Sequence, residues 1–168
     1  MLKNISQALC ASIIAVSGAI APSASADDGT KDVEHNYEFE HVSCKGDENE
    51  IRVVVSGVKK SIGRITADLY NNDEEGFLKR SGRAVQVKFA AKAPETQFCI
   101  RAPQSGDYAI AVYHDRNANN TFDKTALGLP GEPWGLSQNP RIRFSAPKVG
   151  QTLFSVPEDG ANVHIKLN

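Results

Sequence analysis

The residues with the clearest chemical potential lie in one stretch, His114-Asp115-Arg116-Asn117-Ala118-Asn119-Asn120-Thr121-Phe122-Asp123, where oxygen-bearing side chains recur at alternate positions. Asp115, Asn117, Asn119 and Asp123 take places one, three, five and nine of a tight loop, and the backbone carbonyl of Thr121 takes place seven. A hard cation such as calcium takes six to eight oxygens at about 2.3–2.6 Å, and a curled loop with this spacing supplies several of them.

The pattern departs from an EF-hand loop in two ways. Asn120 stands where a Gly makes the sharp turn, although Asn tolerates left-handed backbone better than most residues. Ala126 stands where a bidentate Glu closes the shell, so Glu132 must replace it, which requires the Gly128-Leu129-Pro130-Gly131 turn to fold back. Two carboxylates and two amides predict weak calcium binding, with a dissociation constant on the order of 10⁻⁴ to 10⁻³ M. The same side chains can instead cap their own backbone amides, as in any Asx-rich loop, and spacing alone leaves both readings open.

Downstream, Leu127-Gly128-Leu129-Pro130-Gly131-Glu132-Pro133-Trp134-Gly135-Leu136-Ser137 is rich in Gly and Pro and holds the only Trp. Beside a polar loop, a flat ring offers a contact surface for a carbohydrate or a protein ligand, with His114 and Ser137 near it in sequence. The alternative is a Trp that lids the core. His114 and Ser137 also have the residue types of a hydrolase base and nucleophile, with Asp115 or Asp123 to orient the base. No nucleophile elbow or oxyanion loop accompanies them, so the reading favours a non-catalytic chain. His35 and His41, in His-Asn-Tyr-Glu-Phe-Glu-His, have ligand chemistry for a soft metal but read better as solvated arm residues.

These residues need a frame, and the chain's ends define its limits. Lys3, an apolar run from Ala8 to Ala21 and Ala24-Ser25-Ala26 before Asp27 have the three parts of an export signal, so residues 1–26 are expected to be removed. The run is interrupted by Ser12, Ser17 and Gly18 and is shorter than the roughly 20 apolar residues of a membrane span. Leu9 precedes Cys10 and the apolar run follows it, an arrangement unsuited to lipidation. The expectation is a periplasmic or secreted chain with no membrane span after cleavage.

The remaining 142 residues suit one domain, and 18 basic against 20 acidic residues give no footprint for nucleic acid. Cys44 and Cys99 remain, an even count that predicts a disulfide in an oxidising compartment. Residues 27–49 read as a polar, acidic arm with sparse apolar points, and residues 50–168 as the folded domain.

Within the domain the period is two. Strands are expected at Ile51–Val55, Arg64–Tyr70, Val85–Phe89, Gln97–Arg101, Asp107–His114, Arg141–Ser145, Thr152–Val156 and Asn162–Leu167. Ala109-Ile110-Ala111-Val112 should be central, because it is apolar on both faces. The first two strands are expected as a hairpin or near neighbours, and only Asn72–Lys79 hints at a helix. Seven or eight short strands predict an all-β fold, an antiparallel β-sandwich of transthyretin-like or immunoglobulin-like type.

The run from Gly106 to Asn119, followed by Asp123, Leu127-Gly128-Leu129-Pro130 and Glu132-Pro133-Trp134-Gly135-Leu136-Ser137, resembles domain of unknown function family 2141 (DUF2141). The likeness covers roughly Ile51 to Leu167. That family's pattern runs approximately Gly-x-Tyr-Ala-x-x-x-x-His-Asp-x-Asn-x-Asn-Gly-x-x-Asp, then Gly-x-Pro and Tyr-Gly-Phe-Ser. This chain departs from it at Asn120, Trp134 and Leu136. The resemblance implies an exported bacterial β-sandwich similar to transthyretin-like or carboxypeptidase-regulatory-like modules, and it implies no activity.

Three functional expectations follow. The first is a non-catalytic exported binding module whose Asp115–Asp123 loop holds calcium or orders a ligand surface around Trp134. The second is an accessory envelope domain that binds a protein partner, and the third is the hydrolase of His114 and Ser137.

Overall fold

The computed structural model describes residues 44–142 and 145–168. The expected signal peptide, His35, His41 and most of the polar arm lie outside the described residues. Among the described residues there are eight strands: β1 (Glu50–Ser56), β2 (Arg64–Asn71), β3 (Arg83–Ala90), β4 (Glu95–Arg101), β5 (Gly106–Asp115), β6 (Trp134–Leu136), β7 (Phe154–Val156) and β8 (Ala161–Lys166).

They make two sheets. The smaller has the order β4-β1-β8, and the larger runs β3-β2-β5-β6, with β7 also paired to β5. Because β2 occupies one edge of β5, β6 and β7 share the other: β6 lies along Ala111–Tyr113 and β7 along Gly106–Tyr108.

Alternation in the sequence explains why the sheets stack. Ile51, Val53 and Val55 of β1, Phe98 and Ile100 of β4, and Ile165 of β8 are buried, and they join Ile65, Ala67 and Leu69 of β2 and Ile110 and Val112 of β5 in one continuous core. Phe89 and Phe98 stack across the two sheets with centroids 4.5 Å apart. Each such side chain contributes about 1.5–3 kcal/mol by leaving water, which makes this interlayer the main source of stability. The molecule is an all-β, two-sheet sandwich, and β5 is central as its apolar sequence predicts.

The structure corrects several finer expectations. β1 and β2 are not a hairpin; they lie in opposite sheets, joined across the edge by residues 57–63. The pairing is antiparallel except between β1 and β8, which run parallel. The segment expected as a strand at Arg141–Ser145 has no strand at Arg141, Ile142 or Ser145, and the strand expected at Thr152–Val156 is shortened to Phe154–Val156. Asn72–Lys79 forms a turn closed by the Phe77 amide on the Asp73 carbonyl (3.0 Å).

β6 is the strand that sequence reading missed. It is only three residues long, inside a Gly- and Pro-rich run. Gly135 explains its place: a β-carbon there would lie 2.6 Å from the Lys166 carbonyl oxygen, so only glycine lets β6 approach β8.

The outer face of the larger sheet is also covered. Tyr70, Phe77, Ala109, Leu136 and Val149 form a second cluster there, with Trp134 and Ile142 packed against it. This explains why β2 is buried at six successive positions instead of alternate ones.

Candidate functional site: the loop after the central strand

β5 ends at Asp115, and the chain then curls. Ala118 and Asn120 take left-handed backbone (φ 56° and 65°), which bends the segment around the Asp115 carboxylate. One oxygen of Asp115 accepts the Asn119 amide (3.1 Å) and the other the Asn120 amide (2.8 Å). Asp115 itself is fully buried.

The remaining donors gather on the other side of the curl. Asn117 donates its side-chain amide to Asp123 (2.8 Å), and Asn119 donates its own to both Asp123 oxygens (3.0 and 3.2 Å). The Asn117 oxygen accepts the Asn119 backbone amide, and the Asn119 oxygen accepts that of Thr121 (2.8 Å).

Glu132 returns to this loop. The turn ahead of it is closed by the Gly128 amide on the Thr125 carbonyl and the Thr125 amide on the Leu129 carbonyl, both 2.8 Å. Buried Glu132 then accepts the Arg116 amide with one oxygen (3.0 Å) and the Asp123 amide with the other (3.2 Å). Asp115, Asn117, Asn119, Asp123 and Glu132 therefore belong to one loop system, with Thr121 at its outer bend.

Their carboxylates are not drawn to a single point. Among the described residues, the group of three His, Cys, Asp or Glu ligand atoms lying within 4.8 Å of one another is Cys44, Glu50 and Cys99. The two cysteines of that group are joined as a disulfide, which ties the described end of the arm to β4.

The other sequence-predicted residues fall elsewhere. His114 faces inward, almost fully buried, and its Nε2 lies 2.7 Å from the Ile62 carbonyl oxygen, so that nitrogen carries the proton and donates it. Ser137 is fully buried; its hydroxyl accepts the Ile110 amide (2.9 Å) and donates to the Thr152 carbonyl (2.5 Å). Ser137 thus sits opposite Ile110, four residues along β5 from His114 and roughly 13 Å away at 3.3 Å per residue. The fold does not bring the two together. Trp134 is half-buried and pairs with Tyr113 in the sheet, so it packs on the outer cluster and neither lids the main core nor stands free.

Sequence reading missed a polar cluster on the outer face of the larger sheet. Register places Thr66 and Asp68 of β2 beside Lys88 and Gln86 of β3 and beside Tyr113 and Ala111 of β5. Asp68 pairs with Arg83 (3.0 Å) and accepts from Gln86 (2.6 Å) and Tyr70 (3.5 Å). Burial pushes the Asp68 carboxyl above its usual range, against the pull of Arg83. Burial, then the Asp68 charge, raises the Tyr70 phenol to about 12. Burial, then the neighbouring Arg64, lowers the Lys88 amine. Alternation alone assigns this face to water; only a second covering layer reveals it as buried.

The family model described as "Uncharacterized protein conserved in bacteria (DUF2141)" matches residues 53–166, which takes in all eight strands apart from the first residues of β1. The chain belongs to the DUF2141 family. No curated protein and no solved structure matches it. The DUF2141 match contains the whole loop from Asp115 to Glu132 and the polar cluster on the outer face. Among the described residues of this DUF2141 chain, no helix is long and apolar enough to cross a membrane.

Proposed function

We propose that this chain is an exported, non-catalytic β-sandwich module whose loop from Asp115 to Glu132 binds calcium. The observation that supports the reading is the return of Glu132 to the loop, where it accepts the Arg116 and Asp123 amides and brings a third carboxylate to the segment of Asp115 and Asp123; in this reading it takes the closing place that Ala126 cannot fill. Each carboxylate oxygen has two lone pairs, so an oxygen that accepts one amide can still ligate a cation with the other. A divalent cation would also offset the cost of holding Asp115 and Glu132 out of water. Drawing the three carboxylates inward would require Asn117 and Asn119 to turn their carbonyl oxygens, in place of their amide groups, towards the ion.

Thermal unfolding in EDTA and across a calcium series tests this, with Asp123→Ala and Asp115→Asn as controls. Binding confined to the folded state stabilises by about 2.7 kcal/mol at a hundredfold excess over the dissociation constant. A saturable rise that both variants lose supports the site. No rise up to millimolar calcium rejects it and leaves a self-capped loop.

A second reading is an accessory domain that contacts a protein partner. It is favoured by Leu127 and Leu129, which are 86 % and 61 % exposed at the tip of the same loop system. Replacing both with Ser should leave stability within about 0.5 kcal/mol, as for ordinary surface sites, while removing partner contact. Retention of a co-purifying partner by the double variant would reject this second reading.

A further inference from the structure

The outermost strand of a sheet carries backbone groups that pair with any strand reaching them, and proteins guard such edges with short strands, bulges, charges or covering side chains. Most edges of this sandwich are guarded. The β8 edge is capped by Asn139, whose side-chain oxygen accepts the Lys166 amide (2.7 Å) and whose side-chain nitrogen donates to the His164 carbonyl (2.8 Å). β6 and β7 are three residues each, and the Trp134 carbonyl of β6 accepts the Asn168 amide (2.9 Å). The register of β3 is broken opposite Leu69 and Tyr70, and β3 carries Arg83 and Lys88.

The β4 edge differs. Its seven residues pair with β1 without a register break, and they include no Pro, Gly or Lys. Ala102 donates its amide to the Asn49 carbonyl (3.0 Å) and the Pro94 carbonyl accepts the Val58 amide (3.2 Å), so the even-numbered positions turn their backbone groups towards β1. By alternation Glu95, Gln97, Cys99 and Arg101 turn theirs outward, where no strand among the described residues pairs with them. Cys99 carries its bridge to Cys44 on the face of the sheet, out of the plane in which strands pair.

The charges of β4 say what fits there. Glu95 and Arg101 are the two ends of the strand, with Phe98 midway between them. When a second β4 runs antiparallel beside the first about a two-fold axis at Phe98, Glu95 of each copy faces Arg101 of the other and Gln97 faces Cys99. All of these are outward-pointing positions, so each pair exchanges both backbone hydrogen bonds. Moving the axis to Gln97 sets Glu95 against Cys99, and moving it to Cys99 sets Gln97 against Arg101; both lose the charge pairs.

We propose that β4 is a dimerisation edge, at which two copies of this chain join β4 to β4 and merge their smaller sheets into one. A two-fold contact of this kind is self-complementary and closed, so assembly stops at the dimer. Within one copy Arg101 already meets Asp47, and Glu95 accepts from Gln97 Nε2 (2.7 Å). Both contacts are at the surface, and the five donors of a guanidinium can serve Asp47 and a second carboxylate together. The backbone bonds hold the dimer and the charges fix its register.

Sedimentation velocity of the full chain in EDTA, from micromolar to near-millimolar concentration, tests this. Wild type should shift saturably from monomer to dimer. Gln97→Pro removes an outward amide that bonds to nothing in β1 and should abolish the dimer. Arg101→Glu sets like charges opposite each other at both ends and should weaken the dimer roughly tenfold. Combining it with Glu95→Arg restores opposite charges and should recover the dimer, a rescue that keeps the test decisive if Gln97→Pro does not fold.

A wild type that stays monomeric throughout overturns the proposal, and outward β4 amides protected from hydrogen exchange in that monomer would assign the edge to the chain's own residues before Cys44. Growth beyond the dimer, a dimer that Gln97→Pro or Arg101→Glu leaves intact, or a double variant that fails to recover overturns it equally.

Discussion

Gly63 lies against the carbonyl of Asp115 so closely that a β-carbon at residue 63 would stand 2.0 Å from that oxygen. Its φ of 67° is also one that other residues adopt at a cost. The start of β2 therefore touches the base of the loop, and the loop's position depends on a residue with no side chain. We expect Gly63→Ala to destabilise the fold by about 1–3 kcal/mol or more, from backbone strain and overpacking. Urea unfolding measures this, and a change below about 0.5 kcal/mol would show that the contact relaxes freely.

Ser137 is a structural hydroxyl in this geometry. Its removal leaves the Ile110 amide and the Thr152 carbonyl without that partner in a fully buried place. Ser137→Ala should destabilise by about 1–3 kcal/mol, the usual penalty for unsatisfied buried groups. Assayed towards simple esters, wild type and variant should be equally inactive; activity in wild type that the variant lost would restore a nucleophilic role.

Asp68 gives a pH dependence with a definite sign. Its carboxyl is raised above 3.8 chiefly by burial, so the native state holds this proton more tightly than the unfolded chain does. The resulting contribution is complete below the unfolded value and is lost as pH rises through the folded one. Relative to Asp68→Asn, wild type should therefore lose stability as pH is raised from about 4 towards neutrality. Denaturant midpoints for both proteins across that range decide it; a difference that is flat, or that moves in favour of wild type, contradicts the burial argument.

The Cys44–Cys99 bridge spans a sequence separation of 55 residues. By chain entropy a cross-link of that span stabilises by about 4 kcal/mol. Reduction, or Cys44→Ser, should lower the denaturation midpoint by a corresponding amount without altering the sheets, as read by far-ultraviolet circular dichroism. An unchanged midpoint would mean that the unfolded chain gains little freedom when the bond is cut.

Period-two patterning made most of the sandwich legible, because strands with one dry and one wet face announce themselves. β1, with Ile51, Val53 and Val55 buried around exposed Arg52, is the plainest case. The partners of β1 were not legible, since alternation says which face is buried and not which strand lies beside it. β6 escaped because only glycine at 135 allows its closeness to β8, a requirement set by Ile165 and Lys166 far along the chain.

The loop was legible as an oxygen-rich curl, and Glu132 could be named from the turn that precedes it. The polar cluster on the outer face of the larger sheet was not. Thr66 and Asp68 lie some 20 residues before Gln86 and Lys88, about as far as the two strands are apart in sequence, and only the register of β2 against β3 brings them side by side.

The parallel pairing of β1 with β8 ties the first strand of the domain to the last. During synthesis β1 can find β4 early, but its other edge stays open until residues Ala161–Lys166 have been made. Contacts of such long sequence separation form slowly, and an open edge recruits foreign strands. A nascent chain of this protein is thus kept from completing its smaller sheet until Ala161–Lys166 have emerged, and a chain cut short before Ala161 presents an open edge of β1 to foreign strands.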